Sequence, residues 1–170
     1  MTATDSRSAF RHRVPVAVLA LVGAGIATYL TLFQLGVLDT VFEPFFGDGS
    51  RRVLTSPVSR ALPVPDAALG AVAYLAELVL ELSGGRDRWR RRPWLVLLLG
   101  LVAAGFALDG VALLILQPTL TGTFCTLCVC SALISFAVAF LVRREVLAAL
   151  HVVRERRRAG LPLARALTSG

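Results

Sequence analysis

Four long apolar stretches separated by short polar segments dominate the chain. They cover roughly residues 14–38, 67–82, 94–116 and 124–142. At about 1.5 Å per residue, helices of these lengths cross, or nearly cross, the roughly 30 Å of hydrocarbon in a bilayer. The pattern predicts an all-α integral membrane four-helix bundle with one long outer loop before helix 2. The first stretch exceeds the roughly 7–15 apolar residues of a signal peptide, so we interpret it as an uncleaved helix.

The polar segments divide the chain into three predicted parts. Residues 1–13 are a cytoplasmic N-terminal tail, residues 14–145 the four-helix membrane domain, and residues 146–170 a basic cytoplasmic C-terminal tail. Glycine and proline within residues 39–65 argue against a continuous helix there, and a short surface helix is predicted at residues 50–56. The link at residues 117–123 is short, which predicts that helices 3 and 4 are antiparallel neighbours. Residues 143–158 are predicted to extend helix 4.

The charges add an orientation to this picture. The net charge is +7 and every basic residue is arginine, which suggests the GC-rich genome of a bacterium. By the positive-inside rule, the arginines predict a bacterial inner-membrane protein with both termini cytoplasmic. The charge also indicates contact with anionic membrane lipid; no aromatic-basic patch suggests nucleic-acid binding. The outer connections are poor in arginine, or their arginines are balanced by the loop charges of Asp39, Glu43 and Asp48. Fourteen of the 18 arginines lie before helix 1, between helices 2 and 3, or after helix 4: Arg7, Arg11, Arg13; Arg86, Arg88, Arg90, Arg91, Arg92; Arg143, Arg144, Arg154, Arg156, Arg157, Arg158.

Two cysteines open the fourth apolar stretch on the side predicted to face outward. Cys125 and Cys128 are three residues apart, so they share one face of a helix turn and can form a disulfide. The outside of a bacterium is also where disulfides form. A helix N-terminus lowers a thiol pKa, which favours attack by Cys125. The alternative is that both pack as small apolar residues; Cys130 points to a different face and is interpreted in that way.

Metal binding is the other use of a CxxC pair. Zinc needs further ligands, and His12 and His151 are both predicted on the cytoplasmic side, so no zinc site is predicted. Copper(I) remains an alternative, because thiolates are soft ligands and three cysteines are available.

Three segments resemble the vitamin K epoxide reductase family. Residues 124–132 (FCTLCVCSA) resemble its redox motif, which opens the fourth helix of a four-helix bundle on the outer side. Residues 52–57 (RVLTSP) resemble its loop segment before helix 2, and residues 65–75 (PDAALGAVAYL) the start of that helix. Residues 27–31 (ATYLT) match more weakly. The resemblance covers roughly residues 14–145.

The resemblance implies a membrane thiol–quinone oxidoreductase that couples protein disulfide formation outside the membrane to reduction of menaquinone or ubiquinone. Cys125 would exchange with a periplasmic or extracellular thioredoxin-like dithiol protein, and Cys128 would face the quinone. Asp66 would hydrogen-bond a quinone oxygen as the protonated acid or through water, since a carboxylate has no proton to donate. An apolar lid over the ring would come from Phe42, Phe45, Phe46 and Leu54.

The chain also departs from that family. Many members carry a cysteine pair in the outer loop that passes electrons to the helix-4 pair. This chain has no cysteine there, and Ser50 stands about where the second loop cysteine would be. Either a partner thiol protein exchanges directly with Cys125, or the family's activity has been lost. In the second case the chain is a non-catalytic membrane subunit, or a protein that binds quinone or lipid.

Acidic residues within the apolar stretches complete the candidate chemistry, because charge inside a membrane is costly. Asp109 in helix 3 is a candidate for supplying a proton when a quinone is reduced. The alternative for Asp109 is a hydrogen bond to a neighbouring helix. Glu77 and Glu81 are interpreted as reaching toward Arg86 or Arg88 at the cytoplasmic end of helix 2.

Overall fold

The computed structural model describes residues 10–57, 59, 63–85 and 87–168, without the side chains of residues 10–12. Within these ranges every regular element is a helix. The helices are α1 (Phe10–Gln34), α2 (Gly49–Leu54), α3 (Asp66–Leu82), α4 (Arg88–Arg91), α5 (Pro93–Thr121), α6 (Thr126–Arg158) and α7 (Leu163–Thr168). Arg7 and Arg86, which contribute to the predicted orientation, lie outside the described residues.

Three of the four long helices are long and apolar enough to cross a membrane. These spans are Arg13–Gln34 within α1, Pro93–Thr121 and Thr126–Arg158. Large side chains on their outer faces, such as Leu101 and Leu108 of α5, are mostly exposed. Such a surface is unfavourable in water and suited to hydrocarbon, so the chain is a membrane protein. The fourth long helix, α3, has 17 residues and three acidic side chains, and it is not among these spans.

The four long helices pack as two pairs. α1 lies along α3 and α5 lies along α6, while contacts of α1 with α6 and of α3 with α5 join the pairs. Small residues allow this close approach, since a Cβ at Gly23 would lie 2.6 Å from the ring of Tyr74. A core between α1, α5 and α6 is formed by Val16, Leu99, Ala103, Val138 and Val142.

The helix ends differ from the predicted ones where proline or polar residues suggested a loop. The predicted link at residues 117–123 is mostly helical, because α5 continues through Pro118 to Thr121. The chain turns at Gly122, whose φ of +66° is the left-handed conformation that glycine adopts readily. The helix after the CxxC motif extends to Arg158 as predicted. The expected C-terminal tail contains the short helix α7. Between α1 and α3, the described residues form a largely irregular connection that contains only the short helix α2.

Four buried charges tie the helices together at the end opposite the cysteines. The Arg88 guanidinium donates to both carboxylate oxygens of Glu145, at 2.7 and 2.9 Å, and to Glu81 at 2.9 Å. Arg13 lies 3.6 Å from Glu81 and donates to the carbonyl oxygen of Gly84 at 3.1 Å. The planar fork of arginine suits such multiple contacts. We call Arg13, Glu81, Arg88 and Glu145 the buried charge cluster; it joins α1, α3, α4 and α6.

Candidate redox site

The two cysteines of the CxxC motif lie at the start of α6. Cys125 is the N-cap residue, and its sulfur accepts a hydrogen bond from the backbone N–H of Cys128 at 3.2 Å. Both are free thiols, with exposures of 0% and 7%. A hydrogen bond from the Cys128 side chain lowers the pKa of the Cys125 thiol, although burial opposes it. Its place at the N-terminus of α6 and its lowered pKa favour Cys125 as a nucleophile.

Glu43, in the loop between α1 and α3, binds the same helix end. Its carboxylate accepts hydrogen bonds from the backbone N–H of Thr126 at 2.9 Å and from the Thr126 hydroxyl. It also accepts from the Ser50 hydroxyl and from the backbone N–H groups of Phe45 and Phe46, each at 3.3 Å. Burial raises the pKa of Glu43, but these hydrogen bonds outweigh it and lower the pKa to about 2. An ionised Glu43 thus ties the loop to the positive end of the α6 dipole.

Two more polar side chains enclose Cys125. Ser50 on α2 is completely buried and donates its hydroxyl to Glu43, and its nearby side chain lowers the pKa of the Cys125 thiol. Gln117 on α5 is buried, and its Oε1 accepts from the backbone N–H of Cys125 at 2.8 Å. Glycine at position 49 lets α2 come this close, because a Cβ there would overlap the carbonyl oxygen of Phe124. Cys125 is therefore closed off by α2, α5 and α6 together.

A cavity of about 350 Å³ lies between α1, α3, α5 and α6, and α2 covers part of it. Cys128 is in its wall, whereas Cys125 is not. Most of the wall is apolar, with a few polar groups that converge on it, including Asp66, Asp109 and Tyr74. This volume and lining are typical of a site for a small organic molecule. The two thiols of one helix turn thus face different surroundings.

Asp66, the first residue of α3, is held by the end of α1. The side-chain amide of Gln34 donates to Asp66 Oδ1 at 2.5 Å and to Ser59 Oγ at 2.7 Å. The same Oδ1 accepts from the backbone N–H of Ala67 at 2.8 Å. Because Oδ1 already accepts two hydrogen bonds, a hydrogen bond from Asp66 to a ligand would come from a protonated Oδ2.

The structure brings together most of the residues that the sequence suggested. Asp66, Asp109, Leu54 and Cys128 line one cavity, and Cys125 adjoins it through the helix turn. The three phenylalanines proposed as a lid lie outside the cavity wall and are exposed: Phe42, Phe45 and Phe46. The ring of Phe46 instead contacts that of Phe124, with centroids 5.6 Å apart. Backbone hydrogen bonds to Glu43 hold residues 45–46 beside α6, and Leu54 and Val53 of α2 cover the cavity.

Sequence reasoning missed the two polar residues that bind the N-terminal end of α6, Glu43 and Gln117. Glu43 stood out only as a loop charge, and Gln117 was assigned to a link rather than to α5.

No group of three or more Cys, His, Asp or Glu side chains within the described ranges comes together as a metal site. Cys130 is half-buried, and His151 is exposed beside Glu155 at 3.4 Å. The side chain of His12 lies outside the described residues.

Comparison with protein families agrees with this geometry. A family model described as the vitamin K epoxide reductase family matches residues 14–143, which is well over half of the chain. The matched range contains the loop, the cavity wall and the CxxC motif. A search of curated proteins found no match to the chain.

Proposed function

We propose, because the chain belongs to the vitamin K epoxide reductase family, that it is a membrane thiol–quinone oxidoreductase. A dithiol protein of thioredoxin type is oxidised to its disulfide, and menaquinone or ubiquinone is reduced to the quinol. The observation that carries this proposal is the separation of the two thiols. Cys128 lines an apolar cavity of suitable size for a quinone ring, and Cys125 faces the loop.

The proposal includes an orientation in the inner membrane of a bacterium. α3 is the fourth crossing, both chain ends are cytoplasmic, and the CxxC motif is at the outer face. Supporting this, α4 and the second half of α6 concentrate arginines at the bundle end opposite the cysteines. Arginine is retained on the cytoplasmic side of membrane proteins.

The first step is thiol–disulfide exchange at Cys125. A thiolate of the partner attacks the Cys125 sulfur of the Cys125–Cys128 disulfide, which forms a mixed disulfide and releases the Cys128 thiolate. The second thiol of the partner then attacks the partner's sulfur in the mixed disulfide. This forms the disulfide of the partner and releases Cys125 as a thiol. The partner leaves oxidised, and both cysteines of the motif are reduced.

The second step passes two electrons to the quinone. The cysteine pair closes again to the disulfide, and the quinone in the cavity takes up the two electrons together with two protons. Asp66 and Asp109 both lie in the cavity wall. In this proposal Asp66 hydrogen-bonds a quinone oxygen, either as the protonated acid or through a water molecule. Leu54 and the surrounding apolar residues exclude water from the ring.

Exchange at Cys125 requires the loop to move, because this thiol is fully buried. The contacts that must open are those of Glu43 with Thr126 and Ser50. In family members with loop cysteines, the loop itself carries the exchanging thiols. Here Ser50 occupies that place, so a partner must reach Cys125 directly.

The test is quinone reduction by the purified full-length protein, with reduced thioredoxin as the dithiol and a short-chain ubiquinone as the acceptor. Cys128→Ala is expected to abolish quinol formation, because Cys125 alone cannot form the disulfide that the dithiol reduces. Cys130→Ala, at a half-buried cysteine on another face, is the matched control and should stay active. Unchanged quinol formation by Cys128→Ala would refute the proposal, and a pair that stays reduced in cells whether or not quinone is made would favour the non-catalytic alternative.

A further inference from the structure

α3 turns an acidic face toward the interior of the protein. Its buried residues are Tyr74, Glu77 and Glu81, with exposures of 2%, 1% and 1%. Val72 and Val79 of the same helix are 67% and 63% exposed. The buried face of a helix is normally apolar, whereas the buried face of α3 carries two carboxyl groups and its exposed face carries valines. Acidic residues inside a membrane bundle are costly, and they often mark pathways for ions or protons.

The two glutamates differ in their partners. Glu81 belongs to the buried charge cluster and pairs with Arg88. Both carboxylate oxygens of Glu77 are buried and have no hydrogen-bond partner among the described residues. Glu77 does not reach Arg88, because the Arg88 guanidinium is already occupied by Glu81 and Glu145. Arg86, the other partner expected for Glu77, lies outside the described residues. An unpaired carboxylate in such a place is strongly disfavoured, which favours Glu77 as the neutral acid at rest.

Glu77 stands between the buried charge cluster and the cavity. Glu81 lies one helix turn away toward the cluster, and Tyr74 lies one turn away toward the cavity. Side chains at such spacings are neighbours, with about 5–6 Å between their Cβ atoms. Tyr74 is in the cavity wall, and its hydroxyl is 2.8 Å from Ser135 Oγ and 2.9 Å from the carbonyl oxygen of Ser131. A row of groups able to hold a proton thus runs along α3 from the cluster to the cavity.

We propose that Glu77 delivers protons to the quinone cavity from the bundle end that holds the buried charge cluster. This inference rests on the proposed function. Oxidation of the dithiol releases two electrons and two protons on the cysteine side of the membrane. The quinone receives those electrons through the cysteine pair and two protons through Glu77, and becomes the quinol. Each turnover therefore removes two protons from the cluster side and releases two on the cysteine side.

The closed outer end of the site supports this direction of proton entry. Cys125 is fully buried under α2, and Glu43 is held as a carboxylate by its hydrogen bonds at the mouth of α6. Protons released by the dithiol are the alternative source, and they would have to pass this end. The two sources differ in the side of the membrane that loses protons, which can be measured.

The experiment uses the full-length protein in liposomes that contain a short-chain ubiquinone and, in the lumen, the pH dye pyranine. Reduced thioredoxin is added outside only, so that molecules with outward-facing cysteines turn over and the lumen reports the cluster side. Potassium with valinomycin removes the membrane potential. For the wild type we expect luminal alkalinisation that corresponds to two protons per quinol.

Glu77→Gln is expected to slow luminal proton uptake about 100-fold, the lower end of what a positioned proton-transfer group supplies. Glu77→Asp keeps the carboxyl group and should retain uptake. Glu77→Leu removes the unpaired acid without leaving a void, so it should fold with an unchanged or higher Tm and also lose uptake. Glu155→Gln makes the same chemical change at an exposed position and should behave as the wild type.

The outcomes separate the two proposals. If the wild type forms no quinol, the proposed function fails. If quinol forms without a luminal pH change, the protons come from the cysteine side, and the inference fails while the proposed function stands. Equal luminal uptake by wild type and Glu77→Gln would show that Glu77 does not carry the protons.

Discussion

The two ends of the helix bundle both hold buried or half-buried charges, but they are built differently. At the cysteine end, one carboxylate, Glu43, gathers neutral donors from a loop and from the first turn of α6. At the other end, two arginines and two glutamates from four helices neutralise one another out of contact with solvent. The first arrangement can open by breaking hydrogen bonds to a single side chain. The second cannot open without leaving charges buried and unpaired.

This difference assigns different tasks to the two ends. Under the proposed function, the cysteine end admits a partner protein to Cys125 and closes again over the cavity, which agrees with its few and local restraints. The charge-cluster end holds the helices in place while that happens. The comparison predicts that substitutions at the cluster reduce stability strongly, whereas substitutions at the redox end change access to Cys125.

The largest effect on stability is expected from Arg88→Ala. The substitution removes the guanidinium that pairs with both Glu81 and Glu145, and removing one member of a buried ion pair costs about 3–5 kcal/mol. Thermal unfolding of the purified protein in detergent measures the loss. Arg91→Ala, at an exposed arginine of the same short helix α4, is the control and should cost little. Equal losses from the two variants would show that the cluster does not hold the helices.

Ser50→Cys tests the redox end by restoring a thiol to the loop. In a Cys128→Ala background, oxidation by air is expected to join the new thiol to Cys125 as a disulfide, because the two side chains lie near each other. Non-reducing mass spectrometry of a digest detects the cross-link. Ser59→Cys introduces a thiol at a buried loop position that bonds Gln34 instead, and should not cross-link. Failure of the Ser50 variant to cross-link would place α2 elsewhere in solution.

The sequence predicted the helices better than the contacts at their ends. Apolar length located α1, α5 and α6 to within several residues, because membrane spanning sets both length and composition. The same pattern also located α3, which is shorter and carries three acidic residues. The contact of Glu43 with Thr126 joins residues 83 apart in sequence, and no local pattern relates them. Gln117 was missed because Pro118 suggested a helix end, although α5 continues past it. The expectation that Glu77 pairs with an arginine came from spacing alone. Spacing could not reveal that the Arg88 guanidinium binds Glu81 and Glu145 instead.

Glu43→Gln is expected to loosen the loop without disturbing the bundle. The amide loses the charge that strengthens five hydrogen bonds, and a loss of about 1.4 kcal/mol would raise the alkylation rate of Cys125 about tenfold. Removing this carboxylate also favours the Cys125 thiolate, because the charge of Glu43 raises the pKa of that thiol. Asp48→Asn is the control: its ion pair with Arg52, at 3.9 Å, is exposed and contributes little. An unchanged alkylation rate in Glu43→Gln would mean that this carboxylate does not hold the loop.

The smallest expected effect is on how the stability that the Glu43 carboxylate contributes depends on pH. The pKa of Glu43 in the folded protein is about 2, below its ordinary value of 4.5. A group with a depressed pKa stabilises the fold fully above the ordinary value, and this stabilisation is lost as the pH falls toward the folded value. The difference in Tm between wild type and Glu43→Gln should therefore be constant from neutral pH down to about 5 and shrink between 4.5 and 2. A difference that changes near neutral pH would show that another group, and not Glu43, controls closure of the loop over Cys125.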